Sequence, residues 1–250
     1  MEERGPAAYI AEFIGTFALV FAVVMVVVGY VPPTTPTALG APAFQDFAVI
    51  GLVHAFVLFM LIQTLAIISG AHFNPAITLG LAVIRQIRAV DAAIYMIMQL
   101  AGGTVGALLA KQLVDDKAAD AVHAAAPGVQ GTITTFAGFT AEAVGTFFLV
   151  WAVVGVAVNP AGLKDWSGFA IGATLGFIVM IIGPLTGGSF NPARAFGPAL
   201  VGHHFFGSLG TWLLVYVLGP AVGAVLAAAG YFFLFIQPGK KGVTGMEPVG

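Results

Sequence analysis

Two asparagines stand in the same short peptide, Phe73-Asn74-Pro75-Ala76 and Phe190-Asn191-Pro192-Ala193. Asparagine before proline reads as a helix start: the amide oxygen caps the first turn, and proline suits the first helical position, where its missing N–H is not needed. The amide also carries two N–H donors, so each asparagine can offer a hydrogen bond to an uncharged molecule bearing oxygen. Turn-forming residues lead into both copies, Ser69-Gly70-Ala71-His72 before the first and Gly187-Gly188-Ser189 before the second. Arg194 follows Asn191 by three residues and adds a fixed positive charge. Such groups suit recognition of a small neutral solute. Bond making finds no support: there is no Gly-x-Ser-x-Gly elbow, no His-Glu-x-x-His helix, no phosphate loop and no close carboxylate pair in the apolar segments. No catalytic residue, cofactor site or metal site is expected, and His203 with His204 has no metal-like constellation around it.

The elements that must hold these residues are membrane helices. Only 8% of the 250 residues are charged, 59% are hydrophobic and 21 are Phe, far beyond what a soluble core of this size needs. A hydrocarbon core of about 30 Å takes roughly 20 apolar residues per helix. Six segments meet that length, about 7–30, 47–68, 89–110, 137–158, 167–185 and 209–236. The apolar pieces at 74–84 and 191–201, which begin at the asparagines, have about half of it and cannot cross alone. No alternating ten-residue strands appear, so a barrel is not expected. The net charge of −2 implies no nucleic-acid partner, and the absence of cysteine excludes disulfide and thiol chemistry. Glu2 and Glu3 before a long first apolar run do not read as a cleavable signal.

The chain also repeats itself. Ala11-Glu12-Phe13-Ile14-Gly15-Thr16-Phe17 returns as Ala141-Glu142-Ala143-Val144-Gly145-Thr146-Phe147. Gly102-Gly103-Thr104-Val105-Gly106 returns as Gly219-Pro220-Ala221-Val222-Gly223, at an offset of 117 residues that also separates the two asparagines. Each half holds three full spans, an odd number, so the second half must insert upside down relative to the first. That arrangement sets two broken helices tip to tip near the midplane, where such folds bind their solutes. One domain over 1–250 is expected, with repeats at about 7–110 and 137–236 and a linking loop at about 112–136 on the outer side. Basic residues set the orientation: with the N-terminus inside, Arg4, Arg85, Arg88, Lys164, Lys240 and Lys241 are cytoplasmic against Lys111 and Lys117 outside, so both termini are expected in the cytoplasm.

Together the paired Asn-Pro-Ala boxes, Asn74-Pro75-Ala76 and Asn191-Pro192-Ala193, the arginine after the second, the two Glu-x-x-Gly-Thr segments and six spans closely resemble the aquaporins, the major intrinsic proteins. The resemblance covers essentially the whole chain and implies an all-α integral membrane fold, an inverted repeat of six transmembrane helices plus two re-entrant half-helices. It implies a passive channel for water that excludes protons and ions, assembled as a homotetramer in the lipid bilayer with a pore in each subunit. The physics agrees. Converging helix N-termini carry unpaired N–H groups and roughly half a positive charge each, which repels cations from the pore centre. An arginine and positive half-helix ends are a recognised device for excluding protons and cations in aquaporin-type pores.

Arg194 at membrane depth costs at least roughly 2.5–3.5 kcal/mol, so it must face water or a partner. Glu12 and Glu142 are the candidate partners; the resemblance instead implies that both glutamates brace the re-entrant loops by accepting backbone N–H groups. Counting from the boxes, the resemblance implies a constriction of His54, Val179, Gly188 and Arg194. Water-specific members usually carry phenylalanine and histidine at the first two positions, whereas this set is similar to that of plant vacuolar-membrane aquaporins. Smaller residues there imply a wider opening and additional solutes such as ammonia, hydrogen peroxide and urea. His72 either orders the first re-entrant loop or lines the inner vestibule, where the carbonyls of Gly70, Ala71 and His72 offer acceptors, and His123 in the outer loop is a candidate to approach the constriction, as a loop histidine does in some of the plant relatives. Glycerol facilitators are the nearest alternative, but they usually carry aspartate after the arginine and a second arginine four residues on, where this chain has Ala195 and Ala199. An ion-coupled transporter shares the repeat logic but would need a titratable group at the centre.

Overall fold

The computed structural model describes residues 3–30 and 46–237. Within them six helices are long and apolar enough to cross a membrane, and no strand occurs. We label them with the shorter helices in chain order: α1 (Pro6–Tyr30), α2 (Asp46–Ser69), α3 (Pro75–Val83), α4 (Ala89–Leu113), α5 (Asp116–Ala121), α6 (Thr135–Val158), α7 (Ser167–Thr186), α8 (Pro192–Val201) and α9 (Leu209–Ile236). The chain is an integral, multi-pass membrane protein. Its outer face is apolar, as lipid requires: Ile67 is 94% exposed, Phe136 74% and Ile97 65%.

The long helices pack in three close pairs, α1 with α4, α2 with α7 and α6 with α9. Small residues allow this, because between helices in lipid there is little hydrophobic gain and attraction depends on backbone approach. A methyl group built on Gly102 or Gly106 of α4 would collide with the Phe13 or Phe17 carbonyl of α1. One on Gly223 of α9 would meet the Ala143 carbonyl of α6, and one on Gly172 of α7 the Ala55 carbonyl of α2. The glycines four apart in sequence are therefore contact points between backbones. The last turns of α6 and two turns of α9 widen to π geometry, Val154–Val158, Leu214–Leu218 and Phe232–Ile236.

The two half-helices α3 and α8 enter this bundle from their loops and touch each other. The linking loop expected at 112–136 carries more order than its sequence announces. It holds the short helix α5, capped by Asp115, and then a turn in which His123, Ala124 and Ala125 are all left-handed (φ +48°, +52° and +66°). Lys240 and Lys241, used above for orientation, lie outside the described residues.

Candidate permeation site

Each half-helix starts as its sequence dictates. Asn74 accepts from the Ala76 N–H at 2.8 Å, and Asn191 accepts from the Ala193 N–H at 2.9 Å and the Arg194 N–H at 3.3 Å, with Pro75 and Pro192 opening the helices. The amide nitrogens make a second, reciprocal link. Asn74 donates to the Phe190 carbonyl at 2.8 Å, and Asn191 donates to the Phe73 carbonyl at 2.9 Å. Each asparagine thus caps its own helix and ties it to the opposite loop. One N–H of each amide remains for the cavity beside them.

The Glu-x-x-Gly-Thr segments have a structural reason for every fixed position. Glu12 accepts from the backbone N–H of His72 (3.0 Å) and Phe73 (2.7 Å), from the Ser69 hydroxyl (2.6 Å) and from the Gln99 amide (2.7 Å). Glu142 accepts from the backbone N–H of Ser189 (3.0 Å) and Phe190 (2.6 Å) and from the Thr186 hydroxyl (2.6 Å). Both carboxylates are fully buried, and these charge-assisted bonds compensate their loss of water. Three residues on, Gly15 and Gly145 leave hollows filled by the rings of Phe73 and Phe190, where any Cβ would collide. Those phenylalanines need the room because their backbones are left-handed (φ +49° and +52°), a strain the surrounding bonds must hold. The threonines close the unit, Thr16 donating to the Glu12 carbonyl at 2.8 Å and Thr146 to that of Glu142 at 2.7 Å. Neither glutamate forms an ion pair with Arg194.

A narrow cavity of about 20 Å³ runs beside the asparagines, lined by Asn74, Asn191, His54, His72, Ser189 and Arg194 among the apolar side chains of Leu19, Leu58, Ile77, Leu149 and Leu175. That space admits about one water at a time. Through Arg194 it adjoins a vestibule of about 310 Å³, and through Leu58, His72 and Ile77 an inner cavity of about 50 Å³ that Gly70 and Ala71 also line. Three spaces therefore lie in series, wide, narrow and intermediate.

Of the four residues expected at the constriction, His54 and Arg194 meet across the narrow cavity. Val179 is buried in α7, and Gly188 (φ +59°) packs beside Gly183 and Phe190; neither belongs to the lining of that cavity. His54 Nδ1 lies 2.8 Å from the Ile50 carbonyl. A carbonyl can only accept, so Nδ1 carries the proton and Nε2, which has no protein partner, is an acceptor in the neutral ring. Opposite it, Arg194 Nη1 donates to the Ala125 carbonyl at 3.0 Å, while its Nε is buried without a partner. His72 Nδ1 lies 3.0 Å from the Thr78 hydroxyl, and Thr78 in turn accepts from Gln99, so one ring of the lining is tied to the Glu12 brace.

Several of these groups escape a reading of the sequence. Ala125 carries no chemical signal, since its backbone alone does the work. Ser69 and Thr186 stand at the repeat offset of 117 residues and could have been found from it. Tyr95 and Tyr216 could not: their hydroxyls donate to the Ser69 and Thr186 carbonyls (2.7 and 2.8 Å), yet their own offset is 121, one helical turn longer.

The chain is similar to known proteins over most of its length. Residues 4–231 match the family model described as Major intrinsic protein. Aquaporin AqpM of Methanothermobacter thermautotrophicus is 37% identical over 241 residues, covering 90% of this chain and 96% of that one. Aquaporin TIP2-1 of Arabidopsis thaliana is 39% identical over 231 residues, 92% of this chain and 87% of that one. In fold, the aquaglyceroporin from Plasmodium falciparum superposes with a TM-score of 0.76 at 22% identity, covering 93% and 97% of the two chains.

Proposed function

The chain belongs to the major intrinsic protein family, and from that premise we propose that it is a passive transmembrane water channel, not an enzyme, that excludes protons and ions and also passes small neutral solutes. The observation that carries this is the reciprocal bond between the two half-helix caps, Asn74 to the Phe190 carbonyl and Asn191 to the Phe73 carbonyl, beside a cavity one water wide. Two helix N-termini meet there, so the field is positive and the remaining amide N–H groups point one way, toward an oxygen. Water held by both donors turns its hydrogens outward along the file. A proton hopping through would need the central water to accept from its neighbour in the file, and that oxygen already accepts from the two amides. The leucine and isoleucine walls accept nothing, so water passes without being trapped.

His54, Val179, Gly188 and Arg194 form the selectivity filter in this reading. Arg194 supplies charge and donors, His54 an acceptor, and Val179 and Gly188, which lie outside the lining of the narrow cavity, contribute only by being small. A filter holding both a donor and an acceptor suits solutes that have both, which is why ammonia, urea and hydrogen peroxide belong to the proposed range. Asn74, Pro75, Ala76, Asn191, Pro192 and Ala193 form the central barrier; Gly70, Ala71 and His72 line the inner end; Glu12 and Glu142 brace the two loops. The chain acts as one domain of two inverted repeats, about 7–110 and 137–236, with both termini cytoplasmic, and assembles as a homotetramer, a closed ring that buries part of each apolar surface. A glycerol facilitator is the second reading, and Ala195 with Ala199 in place of charged residues disfavours it.

The test is osmotic shrinkage of liposomes holding the purified chain, read by stopped-flow light scattering with water, glycerol, urea and ammonia side by side. Fast water flux with a low activation energy and no dependence on an ion gradient is expected. Saturating, gradient-coupled flux would instead make the protein a carrier.

A further inference from the structure

His204 follows the second half-helix and His123 sits in the linking loop, and their rings lie face to face with centroids 3.7 Å apart and planes 3° from parallel. We propose that His204 is a positioning residue for the filter: stacked on His123, it locks the left-handed turn whose last carbonyl holds Arg194, and protonation of His204 releases that hold and slows permeation.

The mechanical link is short. His123, Ala124 and Ala125 are three consecutive non-glycine residues with positive φ, and such a run persists only where its neighbours hold it. Ala124 and Ala125 are buried, and the His123 carbonyl presses on Gly202, where a methyl group would collide. At the exposed end of the turn the hold is the His204 ring. Two residues along, the Ala125 carbonyl accepts from Arg194 Nη1 at 3.0 Å, the one bond that guanidinium group makes with a side-chain or backbone acceptor among the described residues. His123, Ala125, Arg194 and His204 all line the same vestibule of about 310 Å³.

The stack suits neutral rings and opposes two cations, because like charges at contact repel strongly in a partly buried site. Among the described residues no carboxylate stands ready to neutralise added positive charge there. The helices packed against the turn bring Asp116, Lys117 and Asp120 from α5, Tyr30 from α1 and Arg194 from α8, and His203 adjoins in the chain. Asp120 is engaged with Lys111 at 3.4 Å, and no carboxylate among the described residues lies within ion-pair distance of either ring. Burial first, and the neighbouring His123 second, hold His204 below the ordinary histidine value. A depressed value means that the stack's contribution is complete above the unfolded value, about 6.5, and is lost as pH falls below it. Arg194, freed from Ala125, has its remaining acceptors in the lumen, His54 Nε2 among them, and leaning there it narrows the cavity of about 20 Å³.

This rests on the passive-channel reading, and the two fail separately: water flux at pH 7.5 tests the channel, and the change of flux with pH tests the stack. The full chain in liposomes, buffered equally on both sides, is followed by stopped-flow shrinkage from pH 7.5 to 5. Water permeability should fall about twofold or more, with its midpoint below about 6.5. His204→Phe keeps a flat ring against His123 but cannot take up a proton, and should lose most of that response. His204→Ala removes the stack and should hold flux near the acid level at every pH; His204→Gln, should either variant misfold, removes the titration with a smaller change of shape and should also flatten the profile. A flat wild-type profile overturns the proposal, and so does a wild-type response in any of the three variants.

Discussion

Replacing Arg194 by valine should turn a pore for neutral solutes into one that leaks monovalent cations, and the geometry sets the size of the effect. A cation in the cavity of about 20 Å³ that Arg194 shares with His54 has no room to stand far from the guanidinium group. At about 4 Å two unit charges repel by about 4 kcal/mol in an effective dielectric of about 20. At about 1.4 kcal/mol for each factor of ten, that amounts to about a thousandfold in cation occupancy. Part of the barrier survives the substitution, because the two half-helix ends keep roughly half a positive charge each. The expected rise in cation leak is therefore between about tenfold and about a thousandfold. Loss of the bond to the Ala125 carbonyl costs about 1 kcal/mol and leaves an acceptor facing the wet vestibule, too little to unfold the protein. The assay is the collapse of a sodium or proton gradient across liposomes holding the variant, followed by an internal dye, with water flux measured on the same vesicles. A leak within tenfold of the wild type, in vesicles whose water flux shows an intact pore, would refute the assignment of the barrier to this charge.

Three further outcomes follow from other contacts. His54→Phe removes the Nε2 acceptor and fills the opening, so urea and ammonia flux relative to water should fall about tenfold, the worth of one hydrogen bond of about 1.4 kcal/mol; parallel light-scattering rates would read this. Glu142→Ala leaves the Thr186 hydroxyl and the N–H groups of Ser189 and Phe190 buried without an acceptor, at about 1–3 kcal/mol each, so heated samples should lose their folded peak on size exclusion well before the wild type, with Glu142→Gln in between. Gly145→Ala drives a methyl group into the Phe190 ring and should lower stability by about 1–3 kcal/mol, a shift of several degrees in the thermal transition, whereas Gly131→Ala, with open space around it, should leave the transition unmoved.

The proposed proton response of the histidine stack and the proposed cation barrier at Arg194 share one backbone carbonyl, that of Ala125. Ala125 holds the guanidinium group, and the stack holds Ala125. A variant such as Gly202→Ala, whose methyl group meets the His123 carbonyl first and the Pro198 carbonyl next, should therefore disturb solute selectivity; the ratio of urea to water flux is the measurement.

What the sequence determined by itself was local. Twenty-residue apolar runs fix the spans, because a bilayer allows no other backbone arrangement. Asparagine before proline fixes where α3 and α8 begin, and the matching intervals between the repeated segments fix that the halves are related. Chemistry was legible wherever a side chain rare in lipid stood at a recognisable place, as with Arg194, Glu12 and Glu142. Tertiary structure decided which groups meet. The caps tie to each other's loops across 116 and 118 residues of chain, and Tyr95 and Tyr216 do one job from places a helical turn out of register. The Ala-rich linking loop gave no sign of its left-handed turn, because alanine has no side chain to announce it, and the turn is held by a ring from 81 residues away in the chain. Contacts of that kind are made by packing between segments far apart in the chain, which no local pattern records.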